Sequence, residues 1–185
     1  MSKEALIKSL SDFILEFLCN ARNGGDANSE LFKEPHDEAV HKNSCKSRLY
    51  ELISASLVAF ICTHNACRSQ IAEALGRKYG ARLFECCSAG TEPETAIDPT
   101  ALRLMKKLYH IDMKEKQFPK SIHQIPRPDI LISMGCIKGC PWMGRPFDED
   151  WQLEDPAGKG EEAFLSAIHE IDMKVQALAE KLKKR

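Results

Sequence analysis

Short apolar runs alternate with segments of helical periodicity from about residue 56 onwards. Residues 57–61 form a continuous apolar run, and residues 130–134 form another that only Ser133 interrupts. Such runs are typical of strands buried on both faces. Residues 82–87 predict a further strand, closed by the small residues Ser88-Ala89-Gly90. The apolar pattern therefore predicts a sheet that is covered on both sides.

The segments between and after these strands carry apolar residues at three- and four-residue spacing. Residues 71–79 fit a helix, and Asp98-Pro99 begins a second one, with aspartate as its N-cap and proline in its first turn. Residues 160–184 predict a terminal helix. Strands that alternate with helices indicate the α/β class with a parallel sheet.

The first 55 residues follow other patterns. Residues 1–21 predict an amphipathic helix, because apolar side chains recur at helical spacing with charges between them. Those charges also argue against a secretory signal. Residues 22–55 lose the period and predict a linker or irregular arm. We expect residues 56–185 to form the functional domain.

Composition narrows the function classes. The chain has 185 residues, of which 43% are hydrophobic and 29% charged, and its formal net charge is −1. This balance argues against wholesale disorder and against a large basic surface for nucleic acid. For that reason we predict no nucleic-acid partner. No apolar run approaches the length of a membrane span, so we also predict no membrane partner and a cytoplasmic location. Eight cysteines in a reducing compartment favour thiol chemistry or metal binding over structural disulfides.

A strand, a short loop and a helix bring Cys62 and Arg68 together. A loop of this kind can aim its N–H groups and the helix N-terminus at one spot, where a tetrahedral oxyanion binds. Arg68 can grip two oxygens of that anion with its planar guanidinium. The same positive field is expected to lower the pKa of Cys62 and favour the nucleophilic thiolate, to which Ser69 can donate a hydrogen bond.

The other residues of this loop are candidates for packing, electrostatic or conformational roles. Cys67 is a candidate packing residue, and His64 either assists the thiolate or faces solvent. Asn65 is expected to adopt a left-handed backbone conformation, which asparagine tolerates better than most residues. The predicted oxyanion-binding residues are Thr63, His64, Asn65, Ala66, Cys67, Arg68 and Ser69.

Two more cysteines follow the third predicted strand. Cys136 and Cys140 become neighbours if the chain between them is helical, and Gly135 and Gly139 provide flexibility for a bridge. We favour a redox pair, with packing cysteines or part of a metal site as alternatives, although two thiolates do not complete a zinc shell. Cys86 and Cys87 lie on a predicted strand, where packing is the expected role.

The loop from Cys62 to Ser69 resembles the signature loop of the low-molecular-weight protein tyrosine phosphatases. Further segments resemble the arsenate reductase branch of that family. They are Gln70-Ile71-Ala72-Glu73, Ser88-Ala89-Gly90, Leu153 to Lys159, and Ile132 to Cys136 followed by Cys140-Pro141. The resemblance covers roughly residues 56–182 and not residues 1–55. It implies a three-layer α/β sandwich with a short, mainly parallel four-stranded sheet.

The resemblance also implies a reaction. Asp155, ahead of Pro156, is expected to be the general acid over the anion loop. Arsenate is expected to form a Cys62–arsenic adduct that Cys136 and Cys140 resolve by thiol–disulfide exchange, in arsenic detoxification. Thioredoxin or a low-molecular-weight thiol is the expected external reductant, with no bound cofactor and no metal. Phosphate and sulfate are expected to compete with arsenate.

Two alternatives remain at this point. A protein tyrosine phosphatase would use the same loop and acid, but water would cleave the Cys62 intermediate. The cysteines Cys136 and Cys140 argue against it, as does Ala157-Gly158 where the phosphatases usually have paired tyrosines. A non-enzymatic oxyanion or redox sensor would give residues 1–55 a docking role, but it gives no reason for Asp155.

Overall fold

A four-stranded parallel sheet forms the centre of the part of the chain that the structure describes. The computed structural model describes residues 56–81, 83–135 and 145–184. Its strands are β1 (Ser56–Cys62), β2 (Phe84–Gly90), β3 (Ile130–Ser133) and β4 (Glu149–Asp150). They lie in the order β2-β1-β3-β4, and each neighbouring pair is parallel. In this order the central strand β1 ends at Cys62, beside the end of β2.

Within residues 56–81, 83–135 and 145–184, three α-helices connect or follow these strands. They are α1 (Arg68–Gly80), α2 (Pro99–Tyr109) and α3 (Glu161–Lys183), and two short 3-10 helices span Met113–Glu115 and Ile122–Gln124. Local chemistry sets both ends of α2. Asp98 Oδ1 accepts hydrogen bonds from the N–H groups of Thr100 and Ala101, as predicted for this N-cap. His110, in the left-handed conformation at φ 58°, ends the helix.

The apolar residues of the central strand divide between the two faces of the sheet. Val58 and Phe60 belong to a large buried cluster to which all three helices contribute. Ala59 and Ile61 belong to a smaller cluster on the opposite face, against which Ile122, Ile125 and Phe147 pack. The predicted three-layer α/β arrangement is confirmed, and in the described residues the second face is covered by irregular chain and a 3-10 turn.

The structure shifts several predicted boundaries. Strand β2 begins at Phe84 instead of residue 82 and continues through Gly90, while α1 begins at Arg68 instead of residue 71. Strand β4 is only two residues long and consists of acidic residues, so it has no apolar signature. The predicted helix over residues 1–21 and the predicted arm over 22–55 lie outside the described residues. No helix among the described residues is long and apolar enough to cross a membrane.

Candidate active site

The loop between β1 and α1 folds tightly under the end of β2. Asn65 adopts the predicted left-handed conformation, with φ 47°. Gly90 makes the close approach possible, because a Cβ there would lie 2.5 Å from the Thr63 carbonyl oxygen. The Gln70 side chain donates to the Asn65 carbonyl oxygen at 3.0 Å and to the Phe118 carbonyl oxygen at 3.0 Å. The shape of the loop is thus fixed by two strand ends and a buried amide.

Cys62 lies at the base of this loop and receives polar contacts from two sides. The Asn65 N–H donates to Cys62 Sγ at 3.1 Å, and Ser69 Oγ lies 2.9 Å from the same sulfur. Cys62 is 3% exposed and Ser69 is fully buried. Hydrogen bonds offered to a sulfur in a dry setting stabilise its anionic form more than its neutral form.

The Asn65 side chain decides the direction of the Ser69 hydrogen bond. Its oxygen accepts from Gln70 Nε2 at 3.1 Å and from the Lys120 N–H at 2.8 Å, so its Nδ2 group must point the other way. Nδ2 donates to Ser69 Oγ at 2.8 Å and to Ser88 Oγ at 2.9 Å. Because Ser69 Oγ accepts there, its own hydrogen is available for Cys62.

The same chain of hydrogen bonds ends at a buried carboxylate. Ser88 Oγ donates to Glu73 Oε2 at 2.6 Å, and Glu73 is completely buried. Arg77 Nη2 lies 2.6 Å from Glu73 Oε1, and Lys120 Nζ lies 3.3 Å from Oε2. Two cations therefore compensate one buried anion, which offsets the large desolvation cost of that charge.

Arg68 links the loop to the segment that carries Leu153 and Asp155. Its Nη2 donates to Asp155 Oδ2 at 2.6 Å, and its Nη1 donates to the Leu153 carbonyl oxygen at 2.8 Å. The Arg68 side chain is 8% exposed, whereas that of Asp155 is 43% exposed. The guanidinium is thus held in place from behind while the carboxylate remains accessible from solvent.

A cavity of about 320 Å³ opens above these groups. The segment 94–99 forms part of its wall and is tied to the loop by hydrogen bonds from the Glu94 N–H to the His64 carbonyl and from the Asp98 N–H to the Ala66 carbonyl. The His64 ring is half exposed, with Nδ1 3.3 Å from the Glu92 carbonyl oxygen. No Phe, Tyr or Trp stands among the described residues that line the cavity.

The chain is similar in sequence to a known family of proteins. The family described as low molecular weight phosphotyrosine protein phosphatase matches residues 57–185. The chain belongs to this phosphatase family. A relative from Synechocystis sp., a glutaredoxin arsenate reductase, is 33% identical over 129 residues that make up 68% of this chain and 97% of the relative.

Solved structures give the same family placement. An arsenate reductase in the phosphate binding state is 33% identical, with a TM-score of 0.61, and the match covers 69% of this chain and 98% of that one. A thioredoxin-dependent arsenate reductase from Corynebacterium glutamicum is 26% identical with a TM-score of 0.56. That match covers 95% of this chain and 97% of the other.

The structure brings together most of the residues that the sequence predicted for this family site. Cys62, His64, Ala66, Cys67, Arg68 and Asp155 all line the one cavity. Ser69 and Asn65 lie beneath it against the Cys62 sulfur. Cys136 and Cys140 lie outside the described residues. Among the described residues, no group of three or more His, Cys, Asp or Glu side chains is arranged to hold a metal ion.

The other cysteines among the described residues, which are Cys67, Cys86 and Cys87, differ electrostatically from a reactive thiol. Burial, followed by the charges of Asp98 and Asp155, raises the pKa of Cys67 far above its ordinary value. Burial and the Glu73 charge raise the pKa of Cys86 to about 12 and that of Cys87 to about 11. Cys86 packs against the larger apolar cluster and Cys87 against the smaller one, as expected for packing residues.

Sequence reasoning did not place Lys120 and Gln117 in the polar layer beneath the loop. Lys120 and Gln117 come from a stretch without periodicity, yet Lys120 pairs with Glu73 and Gln117 donates to Gln70. Ser88 was the accessible signal, because Ser88-Ala89-Gly90 closes a strand parallel to β1. The carboxyl ends of neighbouring parallel strands meet at one edge of the sheet, which places Ser88 near the loop.

Proposed function

We propose that this protein reduces arsenate to arsenite, and that the oxyanion binds in the cavity above Cys62. One observation carries the proposal: the Cys62 sulfur receives a hydrogen bond from the Asn65 N–H and lies within reach of the Ser69 hydrogen, while Arg68 lines the same cavity. A nucleophile and an anion clamp share one site. The arsenate reductases among the relatives support this substrate over other oxyanions.

The anion is held by Arg68 and by the backbone of the loop. The loop N–H groups from Thr63 to Ser69 and the N-terminus of α1 supply partial positive charge. Arg68 supplies a full charge in a planar fork, which suits two oxygens of a tetrahedral anion. This binding places the central atom of the anion next to Cys62 Sγ.

The first chemical step forms a sulfur–arsenic bond. The Cys62 thiolate attacks arsenic, the bond from arsenic to one oxygen breaks, and Asp155 gives a proton to that oxygen, which leaves as water. Arsenic remains in the pentavalent state. Asp155 suits this role because its carboxyl group borders the cavity beside the guanidinium that positions the anion, so it can pass a proton from the bound arsenate to the leaving oxygen.

The second step reduces arsenic. Cys136 attacks the sulfur of Cys62, a disulfide forms, and the electron pair of the sulfur–arsenic bond stays on arsenic, which leaves as arsenite. Cys140 then attacks the Cys136 sulfur and releases the Cys62 thiolate. The resulting Cys136–Cys140 disulfide is reduced by an external thiol. For this pair the proposal rests on the sequence and on the relatives.

The reductant is thioredoxin or a low-molecular-weight thiol. One similar structure is a thioredoxin-dependent enzyme, and one relative is a glutaredoxin arsenate reductase. Both classes keep thiols reduced in the cytoplasm, where we place the reaction. The two reductants are distinguished by the assay below.

The proposal is tested by NADPH consumption with arsenate and the full-length protein. One reaction contains thioredoxin and thioredoxin reductase, and a second contains glutathione, glutaredoxin and glutathione reductase. We expect arsenate-dependent consumption in one of them. Cys62→Ser should abolish turnover with either reductant, and arsenite formation by that variant would remove Cys62 from the mechanism. No arsenate-dependent consumption by wild-type protein with either reductant contradicts the proposal.

The redox pair and the acid have their own controls. Cys136→Ser should stop turnover that is coupled to thioredoxin, and normal turnover by this variant would contradict its resolving role. Asp155→Asn should lower kcat, whereas Glu154→Gln should not, because the Glu154 carboxylate pairs with Lys159 and is not bonded to Arg68. Equal losses in the two acid variants would contradict the assignment of Asp155.

Phosphatase chemistry is the second candidate, because the family as a whole is described as phosphotyrosine phosphatases. Ala157-Gly158 follow Asp155-Pro156 where the phosphatases usually have paired tyrosines, which favours arsenate reduction over this candidate. Hydrolysis of an aryl phosphate by the wild-type protein, measured beside arsenate reduction, compares the two activities directly.

A further inference from the structure

Asp155 lies where it would contact an anion that is bound to the Arg68 guanidinium. Its Oδ2 lies 2.6 Å from Arg68 Nη2, and its side chain lines the cavity. Any tetrahedral anion that binds to the same guanidinium brings its oxygens close to this carboxylate. Two oxygens that approach within contact distance repel one another unless a hydrogen lies between them.

Tetrahedral oxyanions differ in whether they can supply that hydrogen. Phosphate and arsenate carry an ionisable proton near neutral pH, whereas sulfate carries none. An oxyanion with a proton can donate it to the Asp155 carboxylate, and the repulsion becomes a hydrogen bond. The proton then resides where the leaving oxygen needs it. Sulfate meets an ionised carboxylate with no hydrogen between them.

We propose that Asp155 is a specificity-determining residue, which selects oxyanions that carry a proton and disfavours sulfate. The inference rests on the proposed function in that the cavity has to bind a tetrahedral oxyanion. It refines the expectation that phosphate and sulfate both compete with arsenate: phosphate competes strongly and sulfate weakly.

Other groups at the cavity do not provide the same discrimination. The titratable and charged side chains that line it with Asp155 are Cys62, His64, Cys67, Arg68, Glu94 and Asp98. The Asp98 carboxylate is occupied by two N–H groups of α2. Glu94 Oε1 lies 3.8 Å from His64 Nδ1. Cys62 also carries a proton in one of its forms, so the test removes its thiol.

The test measures binding of inorganic phosphate and of sulfate to full-length Cys62→Ser protein by calorimetry at a slightly acidic pH. The same titrations use Cys62→Ser/Asp155→Asn, with Cys62→Ser/Asp155→Ala as a second variant. Cys62→Ser/Glu94→Gln is the matched control, because it removes another carboxylate from the cavity wall. Buffers of different ionisation enthalpy report how many protons are taken up on binding.

We expect the Cys62→Ser protein to bind phosphate at least about tenfold more tightly than sulfate. In both Asp155 variants the ratio should fall to within about threefold, mainly through tighter sulfate binding, and proton uptake with phosphate should decrease. The Glu94 control should keep the original ratio. This pattern supports the proposal.

Any of three results overturns the proposal. The first is that the ratio of phosphate to sulfate affinity stays unchanged in both Asp155 variants. The second is that this ratio falls equally in the Glu94 control, and the third is that phosphate does not bind to Cys62→Ser protein. Arsenate turnover by wild-type protein, measured in parallel, separates the two levels. Turnover with an unchanged ratio refutes the selectivity alone, whereas no turnover and no phosphate binding refute the proposed function as well.

Discussion

Ser69 Oγ lies 2.9 Å from Cys62 Sγ while it accepts a hydrogen bond from Asn65 Nδ2 at 2.8 Å. Because the partners of the Asn65 amide oxygen turn its Nδ2 group towards Ser69, the Ser69 oxygen accepts there and its own hydrogen is available for the sulfur. Ser69 can therefore donate to a thiolate at Cys62 and stabilise it.

Ser69→Ala should slow the reaction of Cys62. A hydrogen bond to a charged group contributes enough that its loss should lower kcat/KM for arsenate about 10- to 100-fold. The rate of Cys62 alkylation by iodoacetamide should fall as well. Ser121→Ala is the matched control, because Ser121 caps a 3-10 helix and is not bonded to Cys62. Equal rates for the Ser69 variant and the wild-type protein would remove Ser69 from the activation of Cys62.

Glu73→Gln should destabilise the fold strongly. The substitution leaves Arg77 and Lys120 without their buried counter-charge and places an amide opposite the Ser88 hydroxyl. We expect the free energy of unfolding in urea to fall by about 3–5 kcal/mol. Glu154→Gln, which also removes a carboxylate paired with lysine, should change stability little, because Glu154 is exposed. A small loss for Glu73→Gln would show that its ion pairs are replaceable by water.

Gly135→Ala should destabilise the end of β3. Gly135 has φ 90°, and a Cβ there would lie 2.7 Å from Gln152 Cα and 2.7 Å from the Leu153 nitrogen. Both are backbone atoms, so the chain at Gln152 and Leu153 would have to shift, and with it the Leu153 carbonyl that accepts a hydrogen bond from Arg68. We expect a loss of about 1–3 kcal/mol or more in the free energy of unfolding, together with lower turnover.

Gly158→Ala is the control for that effect. Gly158 has φ 76°, but a Cβ there meets nothing within 4 Å, so it carries the conformational cost alone. The Gly135 variant should be the less stable of the two. If both lose the same stability, the contact of Gly135 with Gln152 and Leu153 is not what restricts this position.

Stability should fall at alkaline pH because of Cys86. Burial raises the pKa of its thiol from 9.0 to about 12 in the folded protein. As pH rises above 9.0 the unfolded chain releases this proton and the folded chain keeps it, so the free energy of unfolding decreases until pH reaches about 12. Unfolding in urea under reducing conditions, at several pH values in this window, measures the slope.

Cys86→Ser should make that slope shallower. Serine does not ionise in this range, and its hydroxyl can still donate to the Glu73 carbonyl oxygen, as the Cys86 thiol does at 3.4 Å. Cys87→Ser should have the smaller effect, because the pKa of Cys87 is raised only to about 11. Identical slopes in wild type and Cys86→Ser would contradict the assignment of this proton to Cys86.

Features set by neighbours in the chain were readable from the sequence. Asn65 was expected in the left-handed conformation because of its residue type, and Asp98-Pro99 was expected to begin a helix because of cap chemistry. The strands at 57–61 and 130–134 were visible because both faces are buried, which leaves continuous apolar runs. Strand β4 was not visible, because two acidic residues pair with β3 only where the fold places them beside it.

The sequence by itself determined the α/β class and singled out the loop from Cys62 to Ser69 and the candidate acid Asp155, since each depends on local patterns or on a run of motif residues. Only the tertiary structure decided that Glu73 is bonded to Ser88 and Lys120 in the polar layer beneath that loop, and that Arg68 is bonded to Asp155. These contacts join residues far apart in the chain, and Arg68 and Asp155 are separated by 87 positions. No local pattern encodes them, because they exist only once parallel strands bring their carboxyl ends to one edge of the sheet.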